Sequence, residues 1–334
     1  MAATLRDVAL AAGVSPSTVS RALSVPAMVK QSTRTRVESA VRQLGYQPNR
    51  AARGLITGRT GNIGLIVPDM SNPFFAAVAK GVQSAAGAGA HSVFIADTDE
   101  HVDAESDLLR ALAPQVDGLI LCAPRSAPEV LDLAGTTPLV LFNQHIAGRP
   151  AVTVDAADGM RQGVAHLAAL GHRRIAFVAG PRESWAGAER ERGLQLAADA
   201  TGTDVVHIGN FPPQFQGGVA AADLVLASGV TAVFAFNDLI ALGLLSRFAV
   251  RGVSVPDQIS VLGFDDIPMS SMIHPALSTI AVPTVDGGRA AVAMLLSMIA
   301  GHADEVPQRE LPTQLLVRAT TGVAPVPSQL PLAD

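Results

Sequence analysis

The chain has 334 residues, 49% of them hydrophobic and 16% charged, with a net charge of −5. That balance fits a folded α/β protein of two or three domains and excludes an intrinsically disordered chain. No apolar run reaches the ~18 residues that a membrane span requires, and the single cysteine, Cys122, excludes an intramolecular disulfide.

Charge is unevenly distributed. Residues 1–60 carry nine Lys or Arg against two acids, a net of +7, whereas the remainder carries −12. A basic head on an acidic body is the footprint of a nucleic-acid-binding module, although a merely solvated basic face has the same composition. Thr4 and Asp7 make a capping-box pattern ahead of "LRDVALAAG", whose Leu5, Val8, Ala9 and Ala12 share one helical face. Gly13 ends this helix. Ser15 then supplies an N-cap and Pro16 a first-turn proline for a second helix, "PSTVSRAL".

Two short helices joined by a tight turn predict a helix-turn-helix, whose second helix enters the major groove. Val19 and Leu23 are expected inside, and Pro16, Ser17 and Arg21 toward the base edges, with Arg21 as the guanine reader. Thr18 and Ser20 are expected on phosphates, and Thr4 and Ser15 belong to the same DNA-binding face. A third helix from about Ser32–Thr33 to Gly45 closes a small core with Val37, Ala40, Val41 and Leu44. In "YQPNRAARGL", Pro48 breaks the chain, Asn49 can cap, and residues 50–55 make a helix of under two turns. Because isolated helices below ~12–15 residues are marginal in water, that segment folds only when something holds it.

After the linker, apolar β runs alternate with helical stretches: "NIGLIVPD", "SVFIAD", "DGLILC", "PLVLFN", then "RIAFVAG", "AVFAF" and "ISVLGF". The rhythm predicts parallel sheets covered by helices. It pauses near "AVTVDAADG", which divides the body into two similar subdomains. The expected organisation is a helix-turn-helix domain at 1–48, a hinge helix and linker at 49–60, and a body at 61–334. Within the body, one subdomain takes about 61–154 and 283–313, the other about 155–282 and 314–322, and 323–334 form a tail. Crossings near Val154–Asp155, Val282–Pro283 and residue 313 make a hinge.

Ligands bind such sheets beyond the C-terminal strand ends. Those positions hold Asn72, Phe74 and Phe75, then Asn143 with Gln144, Trp185 and Arg190, Phe211 or Phe215, Asn237 and Asp265. Rings beside amides, carboxylates and a guanidinium suit a polyol, whose C–H face stacks while adjacent hydroxyls pair with planar polar groups. Competing structural roles stand beside these: either phenylalanine as core, and Arg190, within "ERER", as a helix-surface residue. Asp238 and Asp266 read as structural caps, Cys122 as a small buried hydrophobe, and "GHRR" at 171–174 as a helix end whose cations match the dipole. The eight histidines are scattered without metal-ligand spacing, and no HExxH, Walker A, GxGxxG or GxSxG motif occurs, so neither catalysis, a metal nor a cofactor is expected. The tail "VAPVPSQLPLAD" contains three prolines and cannot form a heptad helix, which favours a dimer over a tetramer.

The segments "TLRDVALAAGVSPSTVSRAL" and "VESAVRQLGYQPNRAARGL" resemble the head and hinge of the lactose-repressor-like (LacI/GalR) family of bacterial transcription regulators. "NPFF", "AERERG", "FND" and "GFDD" resemble its periplasmic-binding-protein-like body. The resemblance implies a cytoplasmic homodimeric repressor reading a pseudo-palindromic double-stranded operator under the control of a small effector, with no membrane partner. It implies that paired hinge helices insert Leu55, with Ala52 beside it and Asn49 and Arg50 preceding, into the minor groove. An ordinary linker role for Leu55 is the alternative. It also implies that Phe74, Phe75, Arg190, Asn237 and Asp265 hold a sugar or sugar derivative, with a nucleoside or purine as the other effector class. Asn143–Gln144 departs from the Asp–Arg pair of ribose binders. A transport-type solute-binding protein would share the body, but the DNA-binding head and the absence of a signal-peptide pattern argue against it.

Overall fold

The computed structural model describes residues 3–24, 26–46, 59–302 and 306–325, and the chain divides into two units, Met1–Gly61 and Asn62–Asp334. The first unit contains α1 (Leu5–Ala12), α2 (Pro16–Ser24) and α3 (Gln31–Leu44). The Thr4–Asp7 capping box starts α1: the Asp7 amide donates to Thr4 Oγ1, and the Thr4 amide donates to Asp7 Oδ2 at 2.8 Å. Gly13 ends α1 at φ 63°, a left-handed conformation that costs glycine nothing. Ser15 Oγ accepts from the Thr18 amide at 3.2 Å at the start of α2. Val8, Val19 and Val37 are fully buried, with Ala9, Ala12, Ala22 and Ala40 packed around them. Leu44, expected in this core, is 40% exposed at the last turn of α3, where Gly45 has already turned the chain away. Asn49, Arg50, Ala52 and Leu55 lie outside the described residues.

The second unit alternates strands and helices: β1 (Asn62–Val67), α4 (Pro73–Ala88), β2 (Ser92–Asp97), α5 (Val102–Leu112), β3 (Gly118–Cys122), β4 (Leu139–Phe142) and β5 (Ala151–Val154). There follow α6 (Ala156–Ala169), β6 (Arg174–Ala179), α7 (Trp185–Thr201), β7 (Asp204–Asn210), α8 (Phe215–Ala227), β8 (Ala232–Ala235), α9 (Asp238–Val250) and β9 (Ser260–Asp265). The chain ends with α10 (Pro268–Met272), β10 (Ser278–Ala281), α11 (Thr284–Ile299), β11 (Gln308–Leu311) and β12 (Gln314–Leu316). One sheet has the order β11-β5-β4-β3-β1-β2 and is wholly parallel. The other has the order β12-β10-β9-β8-β6-β7, parallel except for the β10–β12 pair. The central strands read as unbroken apolar runs because helices bury both faces.

The chain passes to the second sheet after β5, returns with α11 and β11, and crosses again to β12. Helix α11 packs on α4, and α8 packs on α9. That second pair touches backbone to backbone: a Cβ on Gly218 would lie 2.0 Å from the Ile240 carbonyl oxygen, and one on Gly243 would lie 2.1 Å from that of Phe215. One buried cluster runs from Ile63 and Phe142 through Met160 and Val164 of α6 to Phe234 and Phe264. His172 is not a helix-end cation. It is fully buried, with Nδ1 2.8 Å from Thr231 Oγ1 and Nε2 3.1 Å from both Ser260 Oγ and the Gly322 carbonyl, and burial pushes its pKa down. The dipole-matching cation is Arg173, whose Nη1 donates to the Ala168 carbonyl at 2.7 Å. Cys122 is buried, and desolvation raises its thiol pKa far above the usual range. Among the described residues, no helix is long and apolar enough to cross a membrane.

Candidate DNA-binding face and effector cleft

In the head unit, α2 buries Val19 and Ala22 and turns Ser15, Pro16, Ser17 and Arg21 outward; Thr18 and Ser20 are half-buried. The Ser15 hydroxyl lies 2.8 Å from those of both Ser17 and Thr18. Thr4, also exposed, is engaged by the capping box, with its hydroxyl donating to Asp7 Oδ2 at 2.7 Å. A helix presenting hydroxyls and one guanidinium on its open side has little to give a protein core and much to give base edges and phosphates.

In the body, the C-terminal strand ends converge on a cleft lined by Asn72, Phe74, Phe75, Asn143, Arg190, Asn237 and Asp265. Asn72 caps α4, its Oδ1 accepting from the Phe74 amide at 3.0 Å. Phe74 and Phe75 meet edge to face, with centroids 5.1 Å apart, and both line the cleft while also belonging to the core cluster. Asn143 stands just past β4 at φ 55°, a left-handed conformation that aims its side chain away from the strand path.

Arg190 is 4% exposed, which removes the helix-surface role. Its guanidinium lies between the rings of Phe236 and Phe264, 4.4 and 3.9 Å from their centroids. Nη1 donates to the Phe236 carbonyl at 2.7 Å and Nη2 to Asp265 Oδ1 at 3.1 Å. Burial lowers the Arg190 pKa against the pull of Asp265; burial likewise raises that of Asp265 against the pull of Arg190. Behind this pair, buried Asp238 accepts from the Ile267 amide and the Ser270 and Thr279 hydroxyls, and desolvation raises its pKa to about 6. Asp238 thus ties α10 to β10; the cap of α9 is Asn237, whose Oδ1 accepts from the Ile240 amide at 2.9 Å. Asn237 Nδ2 donates to the Pro213 carbonyl at 2.8 Å, so this side chain also positions one cleft wall. Asp266 pairs with Arg318.

Trp185, Phe211 and Phe215 lie elsewhere. Trp185 faces a neighbouring cavity beside His145, their ring centroids 6.4 Å apart, with Glu189 and Arg192 on the same side of α7. Its place in the cleft is taken by Ala186, one turn before Arg190. Phe211 lines an adjoining cavity of about 310 Å³ that shares Glu100, Arg125 and Pro213 with the cleft. Phe215 faces a separate apolar groove. The space enclosed within the cleft itself is about 40 Å³, room for about three waters. Gln214 Nε2 donates across the cleft to Asp69 Oδ2 at 3.3 Å.

Glu100, Arg125, Ser184 and Phe236 also line the cleft and do not stand among the residues expected from sequence. Glu100 and Arg125 each lie three residues past a strand end, the same signal that marks the others. Among the described residues, no group of three His, Cys, Asp or Glu could hold a metal ion.

Residues 4–49 match the model of bacterial regulatory proteins of the lacI family, and residues 164–321 match the periplasmic binding protein-like domain. The HTH-type transcriptional repressor CytR of Escherichia coli is 33% identical over 97% of this chain and 98% of its own. The regulator CelR of Thermobifida fusca is 35% identical over 94% and 97%. A lac repressor dimer bound to operator and the anti-inducer ONPF superposes with a TM-score of 0.87 at 30% identity, covering 96% of this chain and all of that one. A CelR–cellobiose complex superposes with a TM-score of 0.72 at 32% identity, covering 95% and 99%. From head to tail, this chain belongs to the lacI family of bacterial regulatory proteins.

Proposed function

We propose that this protein is a cytoplasmic, homodimeric transcriptional repressor whose operator affinity is set by a small sugar or sugar derivative bound in the cleft. The observation that carries the reading is the union, on one chain, of an outward-facing helix of hydroxyls and a guanidinium with a cleft built on the buried Arg190–Asp265 pair. Cellobiose in the CelR complex and ribose in another family member support a sugar. The 1–48, 49–60 and 61–334 organisation follows from it, with Asn49, Arg50, Ala52 and Leu55 as the hinge that a change in lobe angle orders or disorders. A coupling of only ~1–3 kcal/mol, 5–150-fold in affinity, suffices for such control. Dimerisation is supported by an apolar surface groove of about 400 Å³ between α8, α9 and α10, lined by Phe215, Leu242, Leu245, Met269 and Ile273. The proposed role is binding rather than turnover.

A thermal-shift screen with mono- and disaccharides, sugar phosphates and nucleosides identifies the effector, because preferential binding to the folded state raises Tm. Fluorescence anisotropy on a labelled operator then tests control. A hit that changes operator affinity at least fivefold supports the reading. Binding that is equal for every duplex, with or without hits, overturns it.

A further inference from the structure

Two cations line the cleft, and each is paired with a carboxylate. Arg190 faces Asp265, and Arg125 faces Glu100. The second pair is nearly as enclosed as the first: the side chains of Arg125 and Glu100 are 12% and 17% exposed, and both border the cleft and the adjoining cavity. Neither partner is loosely placed. Buried Glu105 of α5 accepts from the Arg125 amide at 2.8 Å, and from the Ser126 amide and hydroxyl, which fixes the loop after β3. The Glu100 amide donates to the Pro68 carbonyl at 2.7 Å with φ 62°. Behind the pairs stand further buried carboxylates, Asp69, Glu105 and Asp238, with no additional lining cation among the described residues.

We propose that the Glu100–Arg125 ion pair sets the charge selectivity of this cleft: it admits an uncharged polyhydroxyl ligand and turns phosphorylated or carboxylated ones away. This rests on the reading of the cleft as the effector site. A hydroxyl can donate to Glu100 or to the second oxygen of Asp265 and accept from Arg125, so a neutral polyol is served on both sides. A phosphate must either displace Glu100 from Arg125 or sit beside carboxylates already paired with the cleft's cations. Removing the Glu100 charge reverses this. A nearly buried guanidinium left without its carboxylate is itself unfavourable, and it matches phosphate oxygens in bidentate geometry.

The test uses full-length protein and inorganic phosphate, with Tm and calorimetric titration as readouts. The wild type and Arg125→Gln should respond to phosphate identically, whereas Glu100→Gln should bind it at least tenfold more tightly than Glu100→Gln/Arg125→Gln. The double variant subtracts any phosphate bound elsewhere. A phosphate response in the wild type that Arg125→Gln abolishes overturns the proposal, as does folded Glu100→Gln with no gain over the double variant. Should Glu100→Gln fail to fold, the comparison of wild type with Arg125→Gln still decides. Failure of the effector-site reading looks different: no neutral sugar alters operator affinity, while the phosphate comparison stands.

Discussion

Replacing Arg190 by Met isolates the ion pair at the centre of the cleft. The Met side chain keeps an apolar stem between Phe236 and Phe264 but removes the donors to the Phe236 carbonyl and Asp265. Breaking a buried pair by deleting one partner costs about 3–5 kcal/mol, because the remaining charge has no compensation. Asp265 relieves part of that by taking up a proton, since burial already raises its pKa and the opposing pull of Arg190 is gone. Its unfolded value is 3.8, so above that pH the folded state holds a proton that the unfolded chain does not. The resulting contribution is present in acid and lost as pH rises, at about 1.36 kcal/mol per unit, or about 4 kcal/mol between pH 5 and pH 8. Urea denaturation of Arg190→Met and of Arg190→Met/Asp265→Asn at both pH values measures this. The single variant should lose stability relative to the double as pH rises. If Arg190→Met stays within about 1 kcal/mol of wild type, as deletion of an exposed pair would, and its difference from the double variant is equal at pH 5 and pH 8, the coupled pair is refuted.

Arg21→Ala should relax discrimination at one operator position, read by competition with singly substituted operators; a uniform loss on all sequences would make Arg21 a phosphate contact. Leu55→Ala should weaken operator binding at least tenfold with effector affinity unchanged, and equal operator affinity would remove the hinge role. Leu242→Arg places a charge in the apolar groove and should shift the protein to monomer in analytical ultracentrifugation, with operator affinity falling in parallel. Asp238→Asn removes a carboxyl whose pKa rises from 3.8 to about 6 on folding, a contribution of about 3 kcal/mol present below pH 4 and lost by pH 7. The stability advantage of wild type over Asp238→Asn should shrink by that amount across the window in denaturant titrations, and a constant difference would show that Asp238 does not titrate there.

What could be read directly in the sequence was local or periodic. The Thr4–Asp7 box, the Gly13 turn and the α2 stripe each depend on residues within one or two turns, and the apolar β runs announce parallel strands whose ends must face the ligand. Trp185 borders the neighbouring cavity for a reason that helix geometry supplies. At about 100° per residue, positions five apart point in different directions, and Trp185 and Arg190 border different cavities. Ala186 and Arg190 border the same one, and Trp185 instead shares its side with Glu189 and Arg192. His172 was beyond such reasoning, because its hydroxyl partners are 59 and 88 residues away and its carbonyl partner 150. The Glu100–Arg125 pair likewise joins two loops whose paths no local rule gives.

Those loops share a backbone property that links fold to function. Of the seven described non-glycine residues with positive φ, six lie at C-terminal strand ends around the cleft: Asp99, Glu100, Ala123, Asn143, Asp265 and Asp266. Such conformations cost of order 1–3 kcal/mol each and persist only where surrounding contacts over-determine them. Here the contacts are visible: Glu105 holds the loop after β3, the Asn143 amide donates to the Val152 carbonyl at 2.7 Å, and Arg190 and Arg318 hold Asp265 and Asp266. Each side of the cleft is therefore held in shape by its own contacts. Across the cleft the direct side-chain hydrogen bond from Gln214 to Asp69 is long, at 3.3 Å, whereas the bonds that shape each half are mostly 2.7–3.1 Å. A ligand that bridges Asn72 and Asn143 on one side and Arg190 and Asp265 on the other adds contacts where the protein has fewest of its own. That is the differential affinity for the closed state that a ligand needs in order to shift a conformational equilibrium.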